Sequence, residues 1–145
     1  DLILYGLPAS GKSTFASQYC KEHPNTIHLN RDNIREMFQC KWSKELEQIV
    51  KHTEYTAMYN ALESGFNVIL DDVSNLNDKT QYVINGMLRS LREKLQCEIE
   101  VIHKYFNTPV FDCIGRDSLR ENPVGERVIL NLYFKYKSKL ESNGC

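Results

Sequence analysis

A three-layer α/β domain, with a parallel sheet of about four to five strands and helices on both faces, is the fold class this sequence predicts. Short apolar runs end abruptly on glycine or aspartate, as at residues 2–5 and 66–70. Between them lie longer stretches whose apolar side chains recur every three or four positions, the period of a helix rather than a strand. The two kinds of segment alternate along the chain, and strands separated by helices pair in parallel through right-handed crossovers. A chain of 145 residues holds one such domain, residues 1–145, whose core needs no metal or disulfide staple.

Taken in order, residues 2–5 (Leu-Ile-Leu-Tyr) stop at Gly6 and read as a buried strand, followed by a helix from residue 11 to about 22. Residues 26–29 read as a second strand and 30–38 as a short helix. From 43 to 64, Leu46, Ile49, Val50, Ala57, Met58, Ala61 and Leu62 form a helical stripe, and Gly65 is the expected stop. Residues 66–70 form the next strand and run into Asp71 and Asp72. Asn77 or Asp78 can cap a helix that carries Ile84, Met87, Leu88, Leu91 and Leu95. Polar and apolar residues alternate over 98–106, a further strand. A helix after Pro109 runs toward Arg120, Pro123-Val124-Gly125 interrupts it, and a last amphipathic helix fills 126–140.

Apolar residues make up 41% of the chain and charged residues 26%, with a net charge of −1, ordinary for a globular protein. A nearly neutral surface excludes tight non-specific nucleic-acid binding, which draws on many phosphate contacts, but leaves room for a local basic groove. Cys20, Cys40, Cys97, Cys113 and Cys145 are scattered without a CxxC pair, and the four histidines lack metal-ligand spacing. That pattern predicts no zinc site, cysteines that are buried or partly buried, and a reducing, cytoplasmic compartment (the host cytoplasm for a phage-encoded chain). No apolar run approaches the ~20 residues of a membrane span, so no membrane partner is expected, and no signal peptide is visible. Lys135, Lys137 and Lys139 read as a solvated face.

The chemistry is concentrated in Gly6-Leu7-Pro8-Ala9-Ser10-Gly11-Lys12-Ser13-Thr14, which fits the P-loop pattern GxxxxGK(S/T) in its proper place between a strand and a helix. Glycines let the backbone turn its N–H groups inward as a nest for phosphate oxygens, and the following helix adds its positive end. Lys12 then reaches the β- and γ-phosphates of ATP, and the Ser13 hydroxyl is placed for Mg²⁺. No Asn-Lys-x-Asp guanine reader occurs, the DxxG match at residues 112–115 lies in a helix late in the chain, and no LSGGQ-like signature or room for an AAA-type helical domain exists. A compact kinase remains.

Three further segments follow from the strand ends, which face the ligand crevice in parallel α/β sheets. Asp32 and Arg35 share a helix face at i,i+3. They suit either an acceptor hydroxyl and an acceptor phosphate, or a helix-starting acid and a surface ion pair. Asp71, with Asp72 in reserve, ends a strand of Walker B form and would hold the metal. Arg116 and Arg120, four apart on the expected helix, repel each other unless a phosphoryl group lies between them.

With those residues assembled, the chain resembles the kinase domain of phage-type polynucleotide 5′-hydroxyl kinases over nearly its whole length. GLPASGKST, NRDNIR, VILDDVSNLN and RDSLR stand in the order of that family's phosphate loop, N-R-D-x-x-R segment, strand to T-N-L-N, and RNxxR lid. The resemblance implies an adenylate-kinase-like fold with a mobile lid and assigns Asp32 as general base. It gives Arg35 an acceptor phosphate, and Arg116 and Arg120 the ATP phosphates. Two departures stand out: Asp117 replaces the lid asparagine, and alignment on Asn75-Leu76-Asn77 puts Val73 where the family often has aspartate. The companion phosphatase motif DxDGT is missing; were the chain a whole protein, it would add 5′-phosphates without removing 3′-phosphates. The loop and the Asp32 segment also resemble seryl-tRNA kinases, and small-molecule kinases share the plan. The expected function is γ-phosphoryl transfer from ATP, with Mg²⁺, to the 5′-hydroxyl end of a nucleic acid in repair. A small-molecule kinase and a nucleotide-dependent switch are the rivals. Oligomeric state is not legible.

Overall fold

The computed structural model describes residues 1–143. Four strands, β1 (Leu2–Tyr5), β2 (Thr26–Leu29), β3 (Asn67–Leu70) and β4 (Ile102–Tyr105), form one parallel sheet in the order β2-β3-β1-β4. The helices are α1 (Lys12–Glu22), α2 (Arg31–Phe38), α3 (Lys44–Glu63), α4 (Asp78–Leu95), α5 (Val110–Asp117) and α6 (Glu126–Asn143). A 3₁₀ turn at Val73–Leu76 leads into α4.

The central strand is apolar throughout because both its faces are covered. Ile3 and Tyr5 join the large core with Met58 and Leu62 of α3, Ile84 and Leu88 of α4, and Ile129 of α6. Leu2 and Leu4 point the other way, onto Ala16 of α1 together with Ile69. This alternation places helices on both faces, as the sequence predicts.

Caps set the helix boundaries. Asn30, Ser43 and Asn77 accept the backbone N–H groups of Asn33, Leu46 and Lys79 through their side chains, a local bond that satisfies an otherwise orphaned donor. Asn77, not Asp78, therefore caps α4. Helix α3 ends through Gly65 at φ 85°, with Phe66 N–H donating to Ala61 O at 2.9 Å and Gly65 N–H to Leu62 O at 3.1 Å. That left-handed cap claims Phe66, so β3 begins one residue later than expected.

Other boundaries shift for reasons of pairing. β4 starts at Ile102 rather than 98, because its partner β1 has only four residues and the register runs Leu2↔Ile102 to Tyr5↔Tyr105. Within α3 the stripe passes through Val50 and Glu54, leaving Ile49 exposed. The helix after Pro109 ends at Asp117, so Arg120 lies beyond it and the two arginines do not share a helix face. Two i→i+3 bonds, Leu119 N–H to Arg116 O and Arg120 N–H to Asp117 O, turn the chain there. Lys139 is not merely solvated: its ammonium bonds Leu76 O at 2.7 Å and the Asp78 carboxylate, joining α6 to the start of α4. Cys113 is buried and Cys20 half-buried, but Cys40 and Cys97 are exposed, against expectation. Cys145 lies outside the described residues. Among the described residues, no helix is long and apolar enough to cross a membrane.

Candidate functional site

The phosphate loop leaves β1 and enters α1 at the carboxyl edge of the sheet. A Cβ at Gly6 would sit 2.6 Å from Ser10 Oγ and 3.1 Å from Phe106 Cβ, so no larger residue fits without displacement. Gly11 takes φ 105° and Ala9 takes φ 61°. The second value is left-handed backbone in a residue that carries a Cβ, which costs about 1–2 kcal/mol. Lys12 is buried, and its ammonium donates to Gly6 O at 2.9 Å and Leu7 O at 2.8 Å. Burial lowers its pKa to about 8, against the opposing pull of Asp71. Thr108 donates to Ser10 O at 2.8 Å and ties the loop to the segment after β4.

At the end of β3 the two aspartates part company. Asp71 Oδ2 accepts the Ser13 hydroxyl at 3.0 Å and meets His28 Nε2, while Oδ1 accepts Asn30 Nδ2 at 2.9 Å. Asp72 turns the opposite way and accepts the Arg31 N–H at 2.7 Å. Hydroxyl and carboxylate oxygens converging at Ser13 and Asp71 are hard donors that fit Mg²⁺, which takes one or two carboxylates and completes its shell with water and substrate phosphates. The described residues contain no group of three or more His, Cys, Asp or Glu placed to hold a metal.

The wall facing the loop opens with Asn30-Arg31-Asp32, in which each residue does something different. Asn30 caps α2 with its carbonyl oxygen and reaches Asp71 with its amide. Arg31 folds inward, donating to Tyr55 OH at 3.2 Å and lying 3.4 Å from Glu54 Oε1. Asp32 faces the cleft with 83% of its side chain exposed, and one oxygen accepts Arg35 Nη1 at 2.6 Å. The rest of the Arg35 guanidinium is clamped by Glu47, with both contacts at 2.7 Å. Glu47 is thereby held below its usual pKa, first by Arg35. Arg35 is thus a clamp on Asp32 before it is anything to a phosphate, and an acceptor phosphate would have to compete with two carboxylates.

Beneath this surface, Glu54 and Asp72 face each other. Burial raises both carboxyl groups, Glu54 well above the carboxylate range. Glu54 Oε2 and Asp72 Oδ2 have no hydrogen-bond partner while both carboxyls are ionised; a proton kept on Glu54, the direction in which burial and Asp72 push it, would give each one. The pair, with Arg31, fixes the root of α2.

Arg116 and Arg120 both line the cleft opposite, despite lying in different backbone settings. The departure at Asp117 has a structural reason. Its buried carboxylate accepts Val124 N–H at 3.0 Å and Gly125 N–H at 2.9 Å, closing the lid turn, and lies 3.7 Å from Arg120 Nη1. The charge therefore points into the lid rather than at the phosphates. The cleft between loop, α2, lid and α6 has a volume of about 680 Å³.

All the expected residues, the loop together with Asp32, Arg35, Asp71, Arg116 and Arg120, surround that cleft except Gly6, Leu7 and Ser10, which lie under it. Sequence reasoning missed Glu47, Glu54, His28 and the double role of Asn30. Glu54 left a trace as a charge inside an apolar stripe. His28 and Glu47 left none, since their partners lie 43 and 12 residues away.

A family model described as AAA domain matches residues 2–138. The chain belongs to this family. The match spans only the α/β unit, so the expected lack of room for a second helical domain does not exclude the family. A curated relative, L-seryl-tRNA(Sec) kinase of Methanococcus maripaludis, is 30% identical over 139 residues, covering 93% of this chain and 51% of its own length. A chain in the solved Pnkp1/Rnl/Hen1 RNA repair complex superposes with a TM-score of 0.77 at 24% identity, over 99% of this chain and 44% of that one. In a second structure of the Pnkp1/Rnl/Hen1 complex the TM-score is 0.59 at 28% identity, over 85% and 40% of the two chains. The chain therefore spans about half the length of the proteins it matches, and its fold is the P-loop kinase type.

Proposed function

We propose that this domain transfers the γ-phosphoryl group of ATP to a hydroxyl at the 5′ end of a polynucleotide. The observation that carries the reading is the exposed Asp32 carboxylate, clamped by Arg35 and facing the Lys12 loop across an open cleft. A buried triphosphate cradle alone would serve a switch equally well, whereas a fixed carboxylate opposite it serves an acceptor hydroxyl.

In this mechanism Lys12 exchanges its two carbonyl partners for phosphate oxygens, and the loop amides hold the rest of the triphosphate. Ser13 and Asp71 would hold Mg²⁺, which supplies charge neutralisation for the phosphates. Asp32 orients the hydroxyl and receives its proton; early proton movement is small in a loose phosphoryl-transfer transition state, so orientation dominates. Arg116 and Arg120 meet the charge on the transferred group, and closure of the lid excludes water.

The seryl-tRNA kinase relative favours a second reading, in which the acceptor hydroxyl belongs to a serine carried on tRNA. Labelled ATP offered with a 5′-hydroxyl oligonucleotide, seryl-tRNA and a panel of metabolites separates the readings. Label is expected on the oligonucleotide end; label on seryl-tRNA or a metabolite alone would overturn the assignment, and hydrolysis without acceptor would point to a switch.

A further inference from the structure

Trp42 immediately precedes Ser43, the N-cap of α3. An apolar residue there ordinarily packs on the fourth residue of the helix. In this chain the fourth residue is Glu47, already committed to Arg35 through both oxygens. Trp42 lies beside the same carboxylate and helps, after Arg35 and Arg31, to hold its pKa down. The ring is left without an apolar lid, and Trp42 is 65% exposed. Folding does not explain so large an aromatic surface in water, because burying an aromatic ring is favourable wherever a partner exists.

Its position suggests a use. One carboxylate separates the indole from Arg35, which lines the cleft beside Asp32. Lys41 and Lys44 flank it and are exposed. Aromatic rings between cationic side chains are how single-stranded nucleic acids are held without sequence preference, since every base has a π-face. Exposed Glu45, next to Lys44, limits the charge, so the patch suits one or two phosphates rather than a long tract.

We propose that Trp42 is a stacking platform for the acceptor nucleobase next to the terminal one, with Lys41 and Lys44 meeting the phosphates beside it. This rests on the polynucleotide reading above and adds to it a path: the strand leaves the cleft over the corner between α2 and α3. It makes the acceptor a single strand of at least two nucleotides.

Trp42 is the only tryptophan in the chain, so its fluorescence reports on this corner without a label. Single-stranded 5′-hydroxyl oligonucleotides, added without ATP, should quench it saturably, and a nucleoside 3′-phosphate should not. In steady-state assays Trp42→Ala should raise KM for an oligonucleotide about 5- to 150-fold, the range of one lost base–aromatic stack. It should leave kcat, and KM for ATP, within about twofold, because the ring touches neither the loop nor the reacting atoms. Trp42→Phe, which keeps a stacking face, should recover most of the affinity. Unquenched fluorescence together with an unchanged KM in the alanine variant would overturn the platform, while label transfer to the same oligonucleotide would leave the proposed function standing. Saturable quenching without any transfer to 5′-hydroxyl ends would support the platform and count against the function. Quenching by a protein partner and by no oligonucleotide would reassign the surface and overturn the proposal.

Discussion

The phosphate-loop half of the cleft is made of backbone, the α2 half, proposed to hold the acceptor, of side chains. Nine consecutive residues, from the end of β1 into the first turn of α1, build the phosphate cradle, with Lys12 resting on the loop's own carbonyls. The acceptor side gathers Asp32 and Arg35 from α2, Glu47 and Glu54 from α3, and Asp72 from the end of β3. Asn30 belongs to both, capping α2 while it holds Asp71. A triphosphate is the same in every ATP, so a rigid loop can recognise it. Acceptors differ, and a side-chain network can be rebuilt one residue at a time without disturbing the loop.

The largest expected effect lies on the donor side. Lys12→Ala should lower transfer by about 10³-fold or more, as loss of a buried, preorganised cationic donor does, with the fold intact by circular dichroism. Asp32→Ala should cost ~10²–10⁴-fold in kcat, the span of general-base contributions, while nucleotide binding measured by calorimetry stays within twofold. Near-normal turnover in that folded variant would erase the division between the two halves.

Glu47→Gln tests whether the acceptor network acts through Arg35. Removal of one charge-assisted partner should reduce kcat/KM for the acceptor about tenfold and leave KM for ATP unchanged; equal losses for both substrates would mean that the halves are one unit.

The pH dependence separates them further. Lys12 titrates at about 8, so ATP affinity should fall as pH rises above that value. The free domain's stability should move oppositely. Between about 8 and the ordinary lysine range the unfolded chain holds a proton on Lys12 that the folded one has released, and stability rises with pH wherever the unfolded state binds more protons. Glu54 contributes the reverse sign. Its raised folded pKa gives stability that is fully present below the usual carboxylate range and is lost as pH climbs through neutrality, a slope that Glu54→Gln should flatten in urea titrations.

The smallest effect is a matter of one methyl group. Ala9→Gly relieves left-handed backbone at φ 61° and should stabilise the domain by about 1 kcal/mol, read as an increased urea midpoint. No gain would mean that the loop's ligand-free geometry is not strained.

Much of this fold could be read from the chain because it depends on neighbours in sequence. The run Leu2–Tyr5, the loop spacing, a cap at Asn77 or Asp78, and the stop at Gly65 each act over a few residues, where backbone geometry and hydrogen bonding are local. The strand ends were less legible. β4 is as short as its partner β1 makes it, and no feature of residues 98–101 announces that limit.

The acceptor site was legible only in outline. Asp32 and Arg35 could be seen as a pair because helical spacing joins them, but Glu47, His28 and the Glu54–Asp72 contact depend on how α2, α3 and β3 pack. By itself, then, the sequence determined an α/β domain with a phosphate loop, and it paired Asp32 with Arg35 on one helix face without saying what the pair serves. Tertiary structure decided that Asp71 turns to Ser13 and Asp72 to Arg31, that Arg35 is clamped by Glu47 and Asp32, and that Asp117 holds the turn at Val124 and Gly125. The reason is physical: a contiguous motif carries its own geometry, whereas a side chain's partner is chosen by the register and packing of elements far apart in the chain.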